Sequence, residues 1–226
     1  VNQYHKIENP LVRDLETHRL IHGKWKTPTF CLLQDIYWEG TEKLDGTNTR
    51  VMYRCYTDCE DPASEMCWFG GKTDKAEMPK RQTEALDKLF PSEPFRGQKF
   101  RDVFGENQII EVCLYGEAYG PGIQKVGVLY GPEVRIAFYD IMVNGKFLSR
   151  ANVVDVCNKM GLTAVPVVAR GTLGHLIECV RRGIPSHFSN CVDAEGLVAR
   201  PAEELTDQYG NRVITKIKGR DFQDGK

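Results

Sequence analysis

A chain of 226 residues with 41% hydrophobic content can bury a full core, as one large domain or two small ones. Thirty basic residues against 31 acidic ones leave a formal charge of -1, which excludes a whole-molecule attraction to nucleic acid and confines any polyanion site to a local patch. No apolar run approaches the length needed to cross a bilayer, and Val1 to Lys6 does not resemble a secretory signal, so the expected setting is soluble and cytoplasmic.

Eight cysteines are expected to be reduced, with Cys31, Cys113, Cys157, Cys179 and Cys191 among apolar neighbours. Cys55, Cys59 and Cys67 lie closer together, but no Cys-x-x-Cys pair or nearby histidine completes a zinc set, so they read as buried or hairpin thiols.

Residues 1 to 40 show no sustained period and read as short strands and turns. They lead into Thr41-Glu42-Lys43-Leu44-Asp45-Gly46-Thr47-Asn48, where a lysine at the lip of a strand is a candidate covalent nucleophile. A surface turn with a solvated lysine has the same letters. From Thr49 to Tyr56, Val51, Tyr53 and Cys55 alternate with Arg50, Met52 and Arg54, which predicts a strand. Asp58 to Pro62 reads as a hairpin turn and Glu65 to Phe69 as the returning strand. Gly70 to Asp74 reads as a flexible hinge carrying Lys72 beside Thr73.

A helix is predicted from about Pro79 to Phe90, with Leu86, Leu89 and Phe90 as its apolar stripe. Ile109 to Tyr115 predicts a buried strand that ends at Gly116-Glu117, before Gly120-Pro121-Gly122 breaks the chain. Val134 to Val143 predicts another, closed by Asn144-Gly145. Two helices follow, one capped by Ser149, buried through Val153, Val156, Cys157 and Met160 and ended by Gly161, the other bracketed by Thr172 and Gly183 around Leu176, Ile177 and Val180. Glu195 to Pro201 and Arg212 to Lys218 are the last strands. The order predicts an α+β domain with antiparallel sheets and flanking helices.

Lys43, Asp45, Glu117, Glu195, Lys216 and Lys218 stand at or within strands whose other residues are apolar. Residues two apart on a strand point the same way, so Lys216 and Lys218 present two ammonium groups to one face, either to a phosphate or to solvent on an edge strand. Glu117 and Glu195 are either solvent-facing strand ends or working carboxylates. One carboxylate can accept from a ribose hydroxyl and another can hold a divalent metal.

Taken in order, Lys43-Leu44-Asp45-Gly46, Lys72-Thr73, Leu114-Tyr115-Gly116-Glu117, Ala137-Phe138-Tyr139-Asp140-Ile141, Ala194-Glu195-Gly196-Leu197-Val198 and Lys216-Ile217-Lys218 resemble the motifs of the covalent nucleotidyltransferases, which comprise polynucleotide ligases and messenger-RNA capping enzymes. The chain looks most like the RNA ligase 2 group of ATP-dependent RNA ligases. Asn48, five residues after the lysine, and Gly120-Pro121-Gly122-Ile123-Gln124 are further likenesses, whereas Asp45 stands where that group has histidine and is the DNA-ligase-like choice.

The resemblance implies a ligase-type nucleotidyltransferase domain over residues 1–226. The family usually carries a further domain after the last lysine motif, where this chain has only Gly219 to Lys226. The expectation is therefore a domain without a C-terminal accessory domain in this chain, either cut from a longer protein or a minimal ligase. The resemblance also implies that Lys43 attacks the α-phosphate of ATP and carries AMP, with Lys216 and Lys218 as the other catalytic cations. Tyr139 would stack on the adenine, Glu117 would hold the ribose, and Glu195 would serve nucleotide and metal, Mg2+ or Mn2+. Lys72 would contact a phosphate, Thr47 and Asn48 would hydrogen-bond near it, and Glu42 would frame the adenine through its backbone.

The implied substrate is RNA with 5′-phosphate and 3′-hydroxyl ends, joined by a monomer in the cytoplasm, or in the host's cytoplasm for a phage enzyme. The alternatives are the adenylylation domain of a small ATP-dependent DNA ligase and a degenerate nucleotide- or RNA-binding module. His5, His18, His22, His175 and His187 match none of the motifs.

Overall fold

A computed structural model describes residues 3–17, 19–56, 65–92, 96–105 and 109–222. In chain order the elements are β1 (Leu11–Arg13), β2 (Leu20–Trp25), α1 (Pro28–Leu33), β3 (Trp38–Lys43), β4 (Thr47–Cys55), β5 (Glu65–Gly70), α2 (Lys80–Leu89), α3 (Gln98–Phe104), β6 (Ile110–Tyr119), β7 (Arg135–Val143), β8 (Lys146–Phe147), α4 (Arg150–Lys159), β9 (Val167–Gly171), α5 (Leu173–Arg182), β10 (Gly196–Pro201) and β11 (Thr215–Lys218). The strands pair antiparallel, and with the helices they make the α+β class expected. No described helix is long and apolar enough to cross a membrane.

The chain forms two compact units, one of Val1–Tyr4 with Gly46–Val165 and one of His5–Asp45 with Pro166–Lys226. The first holds a five-stranded sheet in the order β5-β4-β6-β7-β8. Alternation along β4 and β6 sends Val51, Tyr53, Val112 and Leu114 to one face, where they pack against Leu86 and Phe90 of the α2 end, Phe100 of α3, and Val153, Val156 and Cys157 of α4. Phe100 stacks on Tyr53 with ring centroids 4.6 Å apart. On the opposite face Met52, Cys113, Tyr115 and Met142 pack with Tyr4, Trp68, Tyr139 and Phe147.

The second unit holds a four-stranded sheet in the order β11-β10-β3-β9 and the two-stranded β1-β2. Its core joins Trp38, Leu197, Ala199 and Ile217 of the larger sheet to Leu173, Leu176, Ile177 and Val180 of α5. Burying each of those aliphatic side chains contributes about 1.5–3 kcal/mol, which is why α5 forms where its spacing predicts. The Thr172 hydroxyl accepts from His175 N at 3.2 Å, and the helix stops at Gly183.

Several expectations are corrected. The predicted turn at Asp58 to Pro62 lies outside the described residues. Cys55 is disulfide-bonded, not a reduced thiol. β6 does not end before Gly116-Glu117: it runs to Tyr119, with a register shift at Tyr115/Gly116 against β7, so Glu117 sits inside a strand. The last strand begins at Thr215 rather than Arg212, because Thr206 and Arg212 bridge around an Asp207–Asn211 turn and Arg212 pairs with Glu204. Residues 1 to 40 contain α1 as well as strands, with Thr27 as its cap and Pro28 in its first turn.

Candidate active site

The predicted residues fall into two groups, one in each unit. In the second unit, β10 lies between β3 and β11, and Gly196 is the register partner of Lys43 on one side and Lys218 on the other. Cross-strand partners point to the same face, so the two lysines flank a position with no side chain. A Cβ at Gly196 would stand 1.9 Å from the carbonyl oxygen of Ile217, and the backbone there has φ 155, so only glycine fits this close approach.

Both ammonium groups converge on Glu195. Lys43 Nζ donates to Oε2, and Lys218 Nζ lies 2.6 Å from Oε1. Burial raises the Glu195 carboxyl, but the charge of Lys43 and the hydrogen bonds from Lys218 and Lys43 outweigh it and hold it below the ordinary carboxylate value. Lys216 pairs with Val198 one repeat along the same face. Burial, then the charges of Lys218, Lys43 and Lys6, depress its ammonium below the ordinary lysine value, with Glu195 opposing. Lys216 and Lys218 share a sheet face as strand periodicity predicts, and the register places Lys43 on that face too, with the Glu195 carboxylate between Lys43 and Lys218.

Glu42 faces the other side of that sheet, opposite Leu197. Its buried carboxylate accepts from Ser186 Oγ at 2.5 Å and from His187 N at 2.8 Å, and its own N–H donates to the Pro166 carbonyl. It anchors the segment after α5 to the strand that carries Lys43. No sequence pattern announces the tie between Glu42 and Ser186. Asp45 is half-buried at the end of this stretch.

In the first unit, Asn48 and Glu117 are cross-strand partners of β4 and β6, and Asn48 Nδ2 donates to Glu117 Oε2 at 2.8 Å. Thr47 opens the same strand opposite Ala118. Tyr139 sits at the register shift of β7, which puts it on the face of Tyr115, with Tyr4 edge-on at a centroid distance of 5.1 Å. Burial first, then Glu117 and Asp140, push its hydroxyl far above the usual tyrosine value, so it stays a neutral aromatic surface. Lys72 is exposed on the loop after β5.

The donor set suits a nucleotide. A carboxylate already occupies the anion position between Lys43 and Lys218, where a phosphate oxygen can take its place. A divalent metal fits on narrower terms. No group of three or more ligating side chains occurs among the described residues, so Glu195 can supply one carboxylate while phosphate oxygens and water supply the rest.

Solved structures similar to this chain share its fold. A Naegleria gruberi RNA ligase mutant with ATP and Mn matches with a TM-score of 0.59 and 21% identity, over 84% of this chain and 52% of that one. The Naegleria gruberi RNA ligase with PPi matches with a TM-score of 0.60 and 19% identity, over 97% of this chain and 62% of that one. A further mutant of it with AMP and Mn gives 0.59, 18%, 96% and 62%. This chain therefore spans about half to three fifths of those proteins. The comparison with curated proteins gave no match.

The α+β architecture is the one found in those RNA ligase structures. The RNA ligase family model matches residues 36–218, and the chain belongs to the RNA ligase family.

Proposed function

We propose that the chain is the adenylyltransferase part of an ATP-dependent RNA ligase. The observation that carries the reading is the single Glu195 carboxylate held by Lys43 and Lys218 on either side of Gly196. Such an arrangement keeps a nucleophilic amine and a phosphate-binding cation in fixed register on one sheet face. The Naegleria gruberi structures contain ATP, AMP, Mn or PPi, which supports the same ligands here.

In this reading Glu195 gives up its contact with Lys43 when nucleotide binds. The Lys43 amine, having lost its proton, attacks the α-phosphorus, the bond to pyrophosphate breaks, and AMP remains on nitrogen. Lys216 and Lys218 offset the charge that develops on the phosphoryl oxygens. Tyr139 offers its ring to the adenine and Glu117, steadied by Asn48, accepts from the ribose hydroxyls. Mg2+ or Mn2+, when bound through Glu195, supplies charge neutralisation at the phosphates.

An oxygen of an RNA 5′-phosphate next attacks the phosphorus on Lys43, freeing the amine. A 3′-hydroxyl then attacks that 5′-phosphate, AMP leaves, and the strand is sealed. The chain is proposed to act as a monomer, which light scattering checks.

Incubation with α-labelled ATP and magnesium tests the reading. Wild type gives an acid-resistant label and Lys43→Ala gives none. Nicked duplexes then discriminate the substrate, with sealing expected where RNA supplies the 3′-hydroxyl. Preference for an all-DNA nick overturns the RNA assignment, and absence of label in wild type leaves only a binding module.

A further inference from the structure

Arg50 is 2% exposed in the middle of β4, two residues after Asn48 and on the same face. A guanidinium at that depth is costly unless its donors are used, and its Nη1 has no partner among the described residues. The donors that are used both leave the strand for one short loop. Nε donates to the Gly71 carbonyl at 2.7 Å, and Nη2 donates to Asp74 Oδ1 at 2.7 Å. Between these two anchors lies Lys72, which is exposed.

Gly70 makes the crossing feasible. It is the register partner of Arg50 on β5, and a Cβ there would stand 3.2 Å from Arg50 Nη2 and 3.0 Å from Met52 Cε. A side chain at 70 would crowd the guanidinium on its way to the loop. The stretch Gly70 to Asp74, which its glycines mark as a hinge, is thus tied down at both ends of its lysine by a charge-assisted fork. A lysine at 72 cannot grip a phosphate bidentately as an arginine does, so its placement depends on the backbone that carries it.

We propose that Arg50 is the positioning residue of Lys72: its buried guanidinium, bonded to Gly71 and Asp74, fixes the loop that presents the Lys72 ammonium to a phosphate of the nucleotide or of the RNA end. This rests on the ligase reading above and adds a residue that none of the family motifs contains.

The test uses Arg50→Met, Asp74→Ala, Lys72→Ala and the double variant Arg50→Met/Lys72→Ala. Hydrogen exchange is read at the amides of residues 71–76. Two kinetic arms separate the sources of phosphate: labelling against ATP concentration, and sealing of a pre-adenylylated RNA nick, which needs no ATP. Faster exchange is expected in Arg50→Met and Asp74→Ala. Lys72→Ala and Arg50→Met each raise KM about tenfold in the same arm with little change in kcat, as loss of one charge-assisted contact implies. The double variant is expected to be no worse than Lys72→Ala alone.

Asp74 is on the surface, so its variant keeps the question open to measurement if Arg50→Met does not fold. Multiplying losses in the double variant, a fall in kcat alone, or unchanged exchange in Asp74→Ala overturns the proposal. If wild type is labelled and Lys72→Ala is silent in both arms, the ligase reading stands and this one falls. If wild type takes no label, the ligase reading itself falls.

Discussion

Asn48 and Glu117 face each other across β4 and β6, the amide of one donating to the carboxylate of the other at 2.8 Å. The pair stands on a rigid two-strand ladder, so the carboxylate is aimed by the sheet and by its partner together. Asn48→Ala is expected to raise KM for ATP about tenfold while changing Tm little, since a cross-strand pair contributes only about 0.2–1 kcal/mol to folding. Asn48→Asp is expected to be worse, because it sets two carboxylates against each other. Labelling titrations and thermal melts on the same preparations check both.

Lys43 and Lys218 share one carboxylate, which makes their variants unequal in chemistry and similar in stability. Lys43→Ala is expected to remove labelling completely. Lys218→Ala should lower it by at least about a hundredfold, as loss of a cation aimed at the developing charge does, without unfolding the chain. Circular dichroism beside the labelling assay checks this, and wild-type labelling in Lys218→Ala would show that the shared sheet face carries no chemistry.

Lys216 gives a pH dependence with a definite sign. Burial and three neighbouring cations depress its ammonium in the folded chain, while in the unfolded chain it titrates as an ordinary lysine at about 10.4. Between those two values the unfolded chain binds more protons, so stability rises with pH through that window, and below it the penalty of the charged form is fully present. Lys216→Met is expected to raise Tm at neutral pH, with the advantage shrinking as the pH approaches the ordinary lysine range. Melting curves from pH 7 upward measure it, and a constant difference would count against the assignment.

Glu42 is buried with both oxygens engaged, by Ser186 and by the His187 backbone. Glu42→Ala leaves a buried hydroxyl and a backbone N–H without their acceptor, and is expected to cost about 1–3 kcal/mol for each. Glu42→Gln keeps one acceptor and should recover part of it. Urea unfolding separates the two variants.

What was legible in the sequence is what has a period or a cap. Thr172 and Gly183 bracket α5 as read, Ser149 caps α4 with its hydroxyl 3.4 Å from Asn152 N, and Asn144-Gly145 makes the β7–β8 turn with both residues at positive φ. The shared face of Lys216 and Lys218 was legible for the same reason, since alternation fixes which side chains of one strand point together, whereas the place of Lys43 beside them depends on the pairing of β3 with β10. Shorter elements carry no such signal. α3 spans only Gln98–Phe104 and buries a single Phe100, and α1 is six residues long, too few for an apolar stripe to repeat.

Other features depend on partners far along the chain. The tie from Glu42 to Ser186 spans 144 residues. The extension of β6 through Glu117 depends on pairing with Asn48 and Ala137, not on local composition, which there resembles a turn. Arg50 looked like the polar half of an alternating strand, and only the fold reveals that the half in question is covered.

Because the gap at Gly196 is closed by the main chain of the neighbouring strand, the spacing of the two amines is a property of the ladder itself. Side chains elsewhere on the sheet are free to drift without moving it. In a saturation library selected for labelling, position 196 should therefore yield one residue, while its neighbours Leu197 and Val198 accept aliphatic exchanges.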